Sequence, residues 1–210
     1  MKKKLVFFAL LLLATQLVFS QNTLNKPDAL NAYRRGDYQG AMNICLAELA
    51  DNPGNIESHV VICWSLIALG RYEEARTYGL QGLTLSRYDN RLIEIMGESN
   101  YYLGRNNDAL RYFQEYINMA PDGTRIGNVY YYMGEVYIRL GRFRHADIAL
   151  STAVYYLPGN ANWWSRLAYA RENAGDYSQA VSAYEQALSL DASLTDASRG
   201  LARVRQAMSR

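Results

Sequence analysis

The sequence predicts an all-α chain, an α-solenoid of five helix-turn-helix units with a C-terminal capping helix, and three observations predict it. A glycine recurs at Gly36, Gly70, Gly104, Gly141 and Gly175, at spacings of 34, 34, 37 and 34 residues. An alanine stands five residues after each, at Ala41, Ala75, Ala109, Ala146 and Ala180. Apolar residues on both sides of each glycine keep helical spacing, as with Tyr130, Met133 and Tyr137 before Gly141 and Ala146, Leu150 and Ala153 after it. Each mark has a physical task. The glycine takes a positive φ and ends the first helix of a unit. Small residues such as Gly134 and Ala146 let the two helices of a pair approach. Pro53, Pro121 and Pro158, seventeen residues after their glycines, end second helices because they cannot continue the hydrogen-bond ladder.

Ahead of the first unit, Met1-Lys2-Lys3-Lys4 opens onto an apolar run from Leu5 to Phe19, broken only by Thr15 and Gln16 and followed by Ser20-Gln21-Asn22. A basic start, a short apolar middle and a small residue before a polar one are the pattern of a secretory signal peptide, so residues 1–20 are expected to be cleaved after Ser20. The run is shorter than the ~20 apolar residues of a transmembrane helix. The expected protein is therefore exported, periplasmic or cell-envelope associated, with no transmembrane segment after cleavage; an uncleaved N-terminal anchor is the alternative. Cleavage takes the formal charge from +2 to −1, because residues 1–20 hold three lysines and no acids. A near-neutral chain lacks the positive charge with which nucleic-acid binders neutralise phosphates. Lys26 is then the only lysine beside eighteen arginines, which argues against Schiff-base chemistry. In an oxidising compartment Cys45 and Cys63 are either one disulfide or two small apolar core residues.

In order, the units cover residues 22–55, 56–89, 90–123, 127–160 and 161–194, and residues 195–210 form the cap. The first opens poorly near Lys26-Pro27-Asp28. The second has Gly79 and Gly82 in its second helix, each costing ~1 kcal/mol against alanine, which predicts a softer N-terminal half. The three extra residues between the third and fourth units fall in Pro121-Asp122-Gly123-Thr124, a turn sequence that lengthens a loop. The closing segment puts Ala197, Leu201, Val204 and Met208 on one face and its arginines on others, which suits a cap over the last pair better than a basic arm for an anionic surface.

The pattern resembles the tetratricopeptide repeat, whose marks are W-x2-L-G-x2-Y, then an alanine, an aromatic, an alanine and a proline over 34 residues. The fifth unit shows it as Trp164, Leu167, Ala168, Ala180, Tyr184 and Ala187; the third as Met96, Gly97, Ala109, Phe113 and Pro121. The resemblance implies a right-handed superhelix whose concave groove, lined by the first helices, receives a peptide or helix of a partner. Counting along each first helix gives stripes of Lys26, Leu30 and Tyr33; Glu57, Val60, Trp64 and Ile67; Arg91, Glu94, Glu98 and Tyr101; Asn128, Tyr131, Glu135 and Ile138; and Asn162, Tyr169 and Glu172. From these the expected partner-binding residues are Val60, Trp64, Ile67, Glu94, Glu98, Tyr101, Tyr131, Glu135, Ile138, Tyr169 and Glu172. An apolar patch followed by tyrosines interleaved with carboxylates predicts a ligand with an apolar segment and then a basic or amide-rich one. The alternative for Trp64 is that it turns sideways into space left by Gly79 and Gly82. Carboxylate capture of the kind one family subset performs is disfavoured, because Leu30 and Val61 replace its asparagines and Glu94 and Glu98 add like charge.

No catalytic, cofactor or metal site is expected. His59 and His145 are the only histidines, and no metal-ligand spacing accompanies them or the two cysteines. Glu94, Glu98 and Glu135 could assemble paired carboxylates for acid–base work, but nothing else converges on them. The expected function is a non-catalytic adaptor or scaffold in the cell envelope that binds a protein or peptide, with self-association open; the alternative is a structural or assembly factor at the outer membrane or cell wall.

Overall fold

A computed structural model describes residues 27–210, and among these there are eleven helices and no strand. They run α1 (Ala29–Arg34), α2 (Tyr38–Asp51), α3 (Ile56–Ala68), α4 (Tyr72–Leu85), α5 (Asn90–Tyr102), α6 (Asn106–Met119), α7 (Ile126–Arg139), α8 (Phe143–Tyr156), α9 (Ala161–Ala174), α10 (Tyr177–Leu190) and α11 (Thr195–Met208). The signal-peptide pattern and Lys26 lie outside the described residues.

Each pair is closed by the same local device. Gly36, Gly70, Gly104, Gly141 and Gly175 all have φ between +68° and +84°, and no other described residue, glycine or otherwise, has a positive φ. In every case the residue after the glycine donates its N–H five residues back into the first helix, as in Arg71 to Leu66 (2.8 Å) and Arg142 to Tyr137 (2.8 Å). This 6→1 bond satisfies carbonyls that a helix end leaves unpaired. First helices α3, α5 and α9 start at Asn55, Asp89 and Asn160, whose side chains accept backbone N–H groups of the first turn. The weak opening of the first unit appears as a six-residue α1, capped by Asp28.

Ala41, Ala75, Ala109, Ala146 and Ala180 are fully buried at the crossings within pairs. A second small–large exchange recurs there. A Cβ on Gly97 would collide with the ring of Phe113, and one on Gly134 would collide with Leu150. In the second unit the exchange runs the other way: Gly79 and Gly82 of α4 leave room for Met96 and Leu92 of α5. These glycines seat α5 against α4. The same occupancy fills the space into which Trp64 would turn on the alternative reading. Cys45 and Cys63 are buried free thiols, and Cys63 Sγ donates to the Ala75 carbonyl at 3.3 Å. Burial raises both, with Cys45 pushed up to about 12.

Three buried clusters follow one another along the array and are joined by shared neighbours, Leu83 between the first two and Tyr130 and Tyr137 between the last two. At the far end α11 buries Ala197, Leu201 and Val204 on α10 and α9, with Gly200 over the Tyr184 ring. Met208, expected on that face, is exposed at the end of the helix. Among the described residues, first helices of successive pairs touch (α1 on α3, then α5, α7, α9 and α11 in turn), whereas second helices do not touch one another. The stack therefore bends toward its first helices, which form its inner side.

Candidate functional site

The inner side carries a regular ionic pattern that the sequence stripes only half revealed. A carboxylate on one first helix is held by an arginine from the start or body of the next. Glu57 meets Arg91 at 2.8 Å, Glu94 meets Arg125 at 2.9 Å, Glu135 meets Arg166 at 2.7 Å and Glu172 meets Arg203 at 2.8 Å. Each bond joins neighbouring units, and Glu57, Glu135 and Glu172 each have an arginine of the next unit that no other carboxylate of the stripes shares. At Glu172 burial works against ionisation, yet the Arg203 and Tyr184 hydrogen bonds hold the carboxyl below its ordinary range. Arg139 and Arg166 lie over the faces of Tyr101 and Tyr169 at 4.7 and 5.1 Å, so these two rings are occupied as well.

The pattern changes at α5. Residues 92–100 of this helix are all buried, and with them Glu94 (2% exposed) and Glu98 (8%). One arginine serves both: Arg125 Nε and Nη2 donate to Glu94 Oε1 at 3.2 and 2.9 Å, and Nη2 reaches Glu98 Oε2 at 3.3 Å. Tyr132 donates its hydroxyl to Glu98 Oε1 at 2.8 Å. Both bonds from Arg125 to Glu94 fall on Oε1 and none on Oε2. Burial pushes the Glu94 carboxyl up to about 7; Arg125 opposes the rise and Glu98 adds to it. Arg125 comes from the lengthened 120–125 loop, so the three residues that break the 34-residue period deliver the counter-ion.

Above this pair lies a cavity of about 560 Å³ built by α1, α3, α5, α6, α7 and the 123–125 loop. Tyr33, Trp64, Ile67, Tyr116 and Tyr132 wall it, with Glu94 and Glu98 at its floor. The rings of Tyr33 and Trp64 are 5.8 Å apart. The structure thus brings together four of the expected residues, Trp64, Ile67, Glu94 and Glu98. Val60 is not available: it is fully buried in the N-terminal core. The expectation failed there because α3 is covered on more than one face, and Val60 lies on the side turned to its neighbours. Tyr131 and Tyr169 belong to a second cavity of about 800 Å³ between α9 and α11, where Arg166, Arg199 and Arg203 also stand. Tyr131 stacks on Trp163 at 4.9 Å. Tyr101 and Ile138 are half-buried on the inner side and line neither cavity, while Glu135 and Glu172 serve the inter-unit pairs. Arg125, Tyr116 and Tyr132 were missed; the departure from the period was the one sequence signal that pointed to Arg125.

Among the described residues no group of three or more His, Cys, Asp or Glu side chains is placed to hold a metal ion, and no helix is long and apolar enough to cross a membrane. Glu135 does not join Glu94 and Glu98; Arg166 holds it elsewhere.

Two stretches, residues 95–123 and 161–193, match the tetratricopeptide repeat family. Solved structures share the fold. A MamA protein superposes with a TM-score of 0.67 at 21% identity, over 78% of this chain and 87% of that one. TTC0263, a thermophilic tetratricopeptide repeat protein of Thermus thermophilus, gives 0.61 at 19%, over 85% and 95%. A chain of the APC/C hetero-tetramer Cut9–Hcn1 gives 0.73 at 17%, over 84% of this chain and 35% of that one. At such identities the likeness is one of fold. No curated protein sequence matches the chain significantly. The chain carries tetratricopeptide repeats and folds as a tetratricopeptide solenoid, an architecture of protein–protein interaction scaffolds.

Proposed function

We propose that the protein is a non-catalytic adaptor or scaffold of the cell envelope, which binds a segment of a partner protein along its inner side. The observation that carries this reading is the cavity over α5. Four successive first helices converge on it, and half-buried Trp64 and Tyr33 stand beside a buried carboxylate pair. Aromatic anchors next to desolvated polar groups supply most of the binding energy in protein interfaces. The inter-unit ion pairs favour a partner that reads this one cavity over a partner with a long basic stretch, because the other carboxylates are already neutralised. Export rests on the leader pattern of residues 1–20. A spacer or assembly factor at the outer membrane or cell wall shares the same leader and repeat.

The test is capture from native envelope extract by the purified protein, with and without Trp64→Ala. The adaptor reading expects a specific protein retained by the wild type and lost at least tenfold by the variant. Capture indifferent to Trp64→Ala would remove the reading. Firm co-sedimentation with wall or membrane in fractionation favours the assembly role.

A further inference from the structure

We propose that the cavity over α5 receives an alkylammonium group of the ligand, with Glu94 and Glu98 as its counter-ions and Trp64 and Tyr33 as aromatic walls. This names the chemistry of the partner segment and rests on the binding role assigned above.

Charge points the same way. Two carboxylates at the floor share one guanidinium, and the Arg125 side chain that carries it is 45% exposed while its partners are buried. The other cation on the cavity wall, Arg91, is committed to Asp89 and Glu57 at 2.7 and 2.8 Å. These six groups leave four carboxylates against two guanidiniums. Both Arg125 bonds to Glu94 go to Oε1, so Oε2 takes none of the arginine's donors although the side chain is almost wholly buried. Two adjoining carboxyl groups that share a single guanidinium repel each other, and a cation supplied by a ligand relieves that repulsion.

Shape selects which cation. A Ca²⁺ or Mg²⁺ ion takes six or more oxygens, and this floor offers two carboxylates under tyrosine and tryptophan rings. A primary ammonium on an alkyl stem fits instead. Its head carries three donors for Glu94 Oε2 and Glu98, and its methylenes lie along Ile67 and the rings. Trp64 is the best ring type for attracting a cation through its face. The volume of about 560 Å³ exceeds what one such side chain fills, which leaves room for the flanking backbone.

Protonation of Glu94 competes with the ligand. The groups facing it are Glu98 on its own helix, Arg125 and Tyr132 from the 120–125 loop and α7, Tyr116 from α6, Tyr33 from α1, and Arg91 beside it on α5. Burial lifts the Glu94 carboxyl to about 7, so the cation competes with a proton there as the pH falls below about 7.

The test follows the indole N–H signal of Trp64 by NMR in the mature protein, assigned by its disappearance in Trp64→Phe. Three probes are titrated at pH 8: the tripeptide Ac-Ala-Lys-Ala-amide, its norleucine analogue and n-butylamine. The lysine peptide is expected to shift the signal and the norleucine peptide to bind at least tenfold more weakly. Binding of butylamine alongside the peptide marks the ammonium itself as sufficient; binding of the peptide alone marks a lysine side chain in its chain as the ligand. Glu98→Gln, which keeps an acceptor for Tyr132, is expected to weaken the lysine peptide at least fivefold, and lowering the pH of the wild type to 5.5 about tenfold. Equal binding of the norleucine peptide, or no shift with any probe, overturns the inference. If the probes fail while capture of a partner still depends on Trp64, the adaptor role survives and the ammonium site does not.

Discussion

Gly141 and Gly134 stand seven residues apart and are glycine for unrelated reasons. At Gly141 φ is +68° and a Cβ would meet nothing within 4 Å, so Gly141→Ala costs only backbone strain, about 1 kcal/mol. A thermal midpoint about 2–4 °C lower checks this. At Gly134 a Cβ would overlap Leu150, so Gly134→Leu forces the α7–α8 pair apart at roughly 3 kcal/mol or more. The expected fall is about 6–12 °C, and a melt within a degree or two of wild type would contradict the packing. Glu94 has a signature of its own. Its carboxyl rises from an ordinary 4.5 to about 7 on folding, so the folded protein holds the proton more tightly than the unfolded chain does. Stability contributed by the protonated group is full below about 4.5 and is lost as the pH rises toward 7. Denaturant unfolding of Glu94→Gln should lack that decline, and an unchanged pH profile would show that Glu94 ionises normally.

The elements with local causes were readable in the sequence, and those with distant causes were not. Five turn glycines and five crossing alanines are fixed by backbone geometry and close approach within one unit, so their residue types carry the message. Glu94 and Glu98 fell on the expected stripe of α5, but a stripe assigns a direction and not its surroundings. Whether that direction opens to water depends on Arg125 and Tyr132, 27 to 34 residues further on, and on Tyr33 from α1. The packing at Gly79 and Gly82 has the same distant cause, since Met96 and Leu92 of the following unit fill the gaps. The lengthened loop is the element on which the site turns. Deleting Pro121, Asp122 and Gly123 restores the 34-residue period and withdraws Arg125 from Glu94 and Glu98. The helices should persist by circular dichroism while the Trp64 indole loses its response to the lysine peptide; a retained response would show the loop to be a passive spacer.

For the whole molecule, each pair is stabilised mainly by its neighbours, so the ends matter as much as the middle. Removing residues 195–210 strips the cover formed by Ala197, Leu201 and Val204 and breaks the Arg203–Glu172 pair. Faster hydrogen exchange confined to α9 and α10 is the expected result, whereas uniform acceleration would mean that the array unfolds as one unit. The central claim is that the curved inner side, at the cavity over α5, is where another molecule is held. The direct measurement places a photo-crosslinking side chain at Ile67, half-buried in that cavity, and separately at Tyr155, 79% exposed on α8, in cells that express the protein. A specific adduct from position 67 and none from position 155 is the predicted result. An adduct from position 155 alone would contradict it.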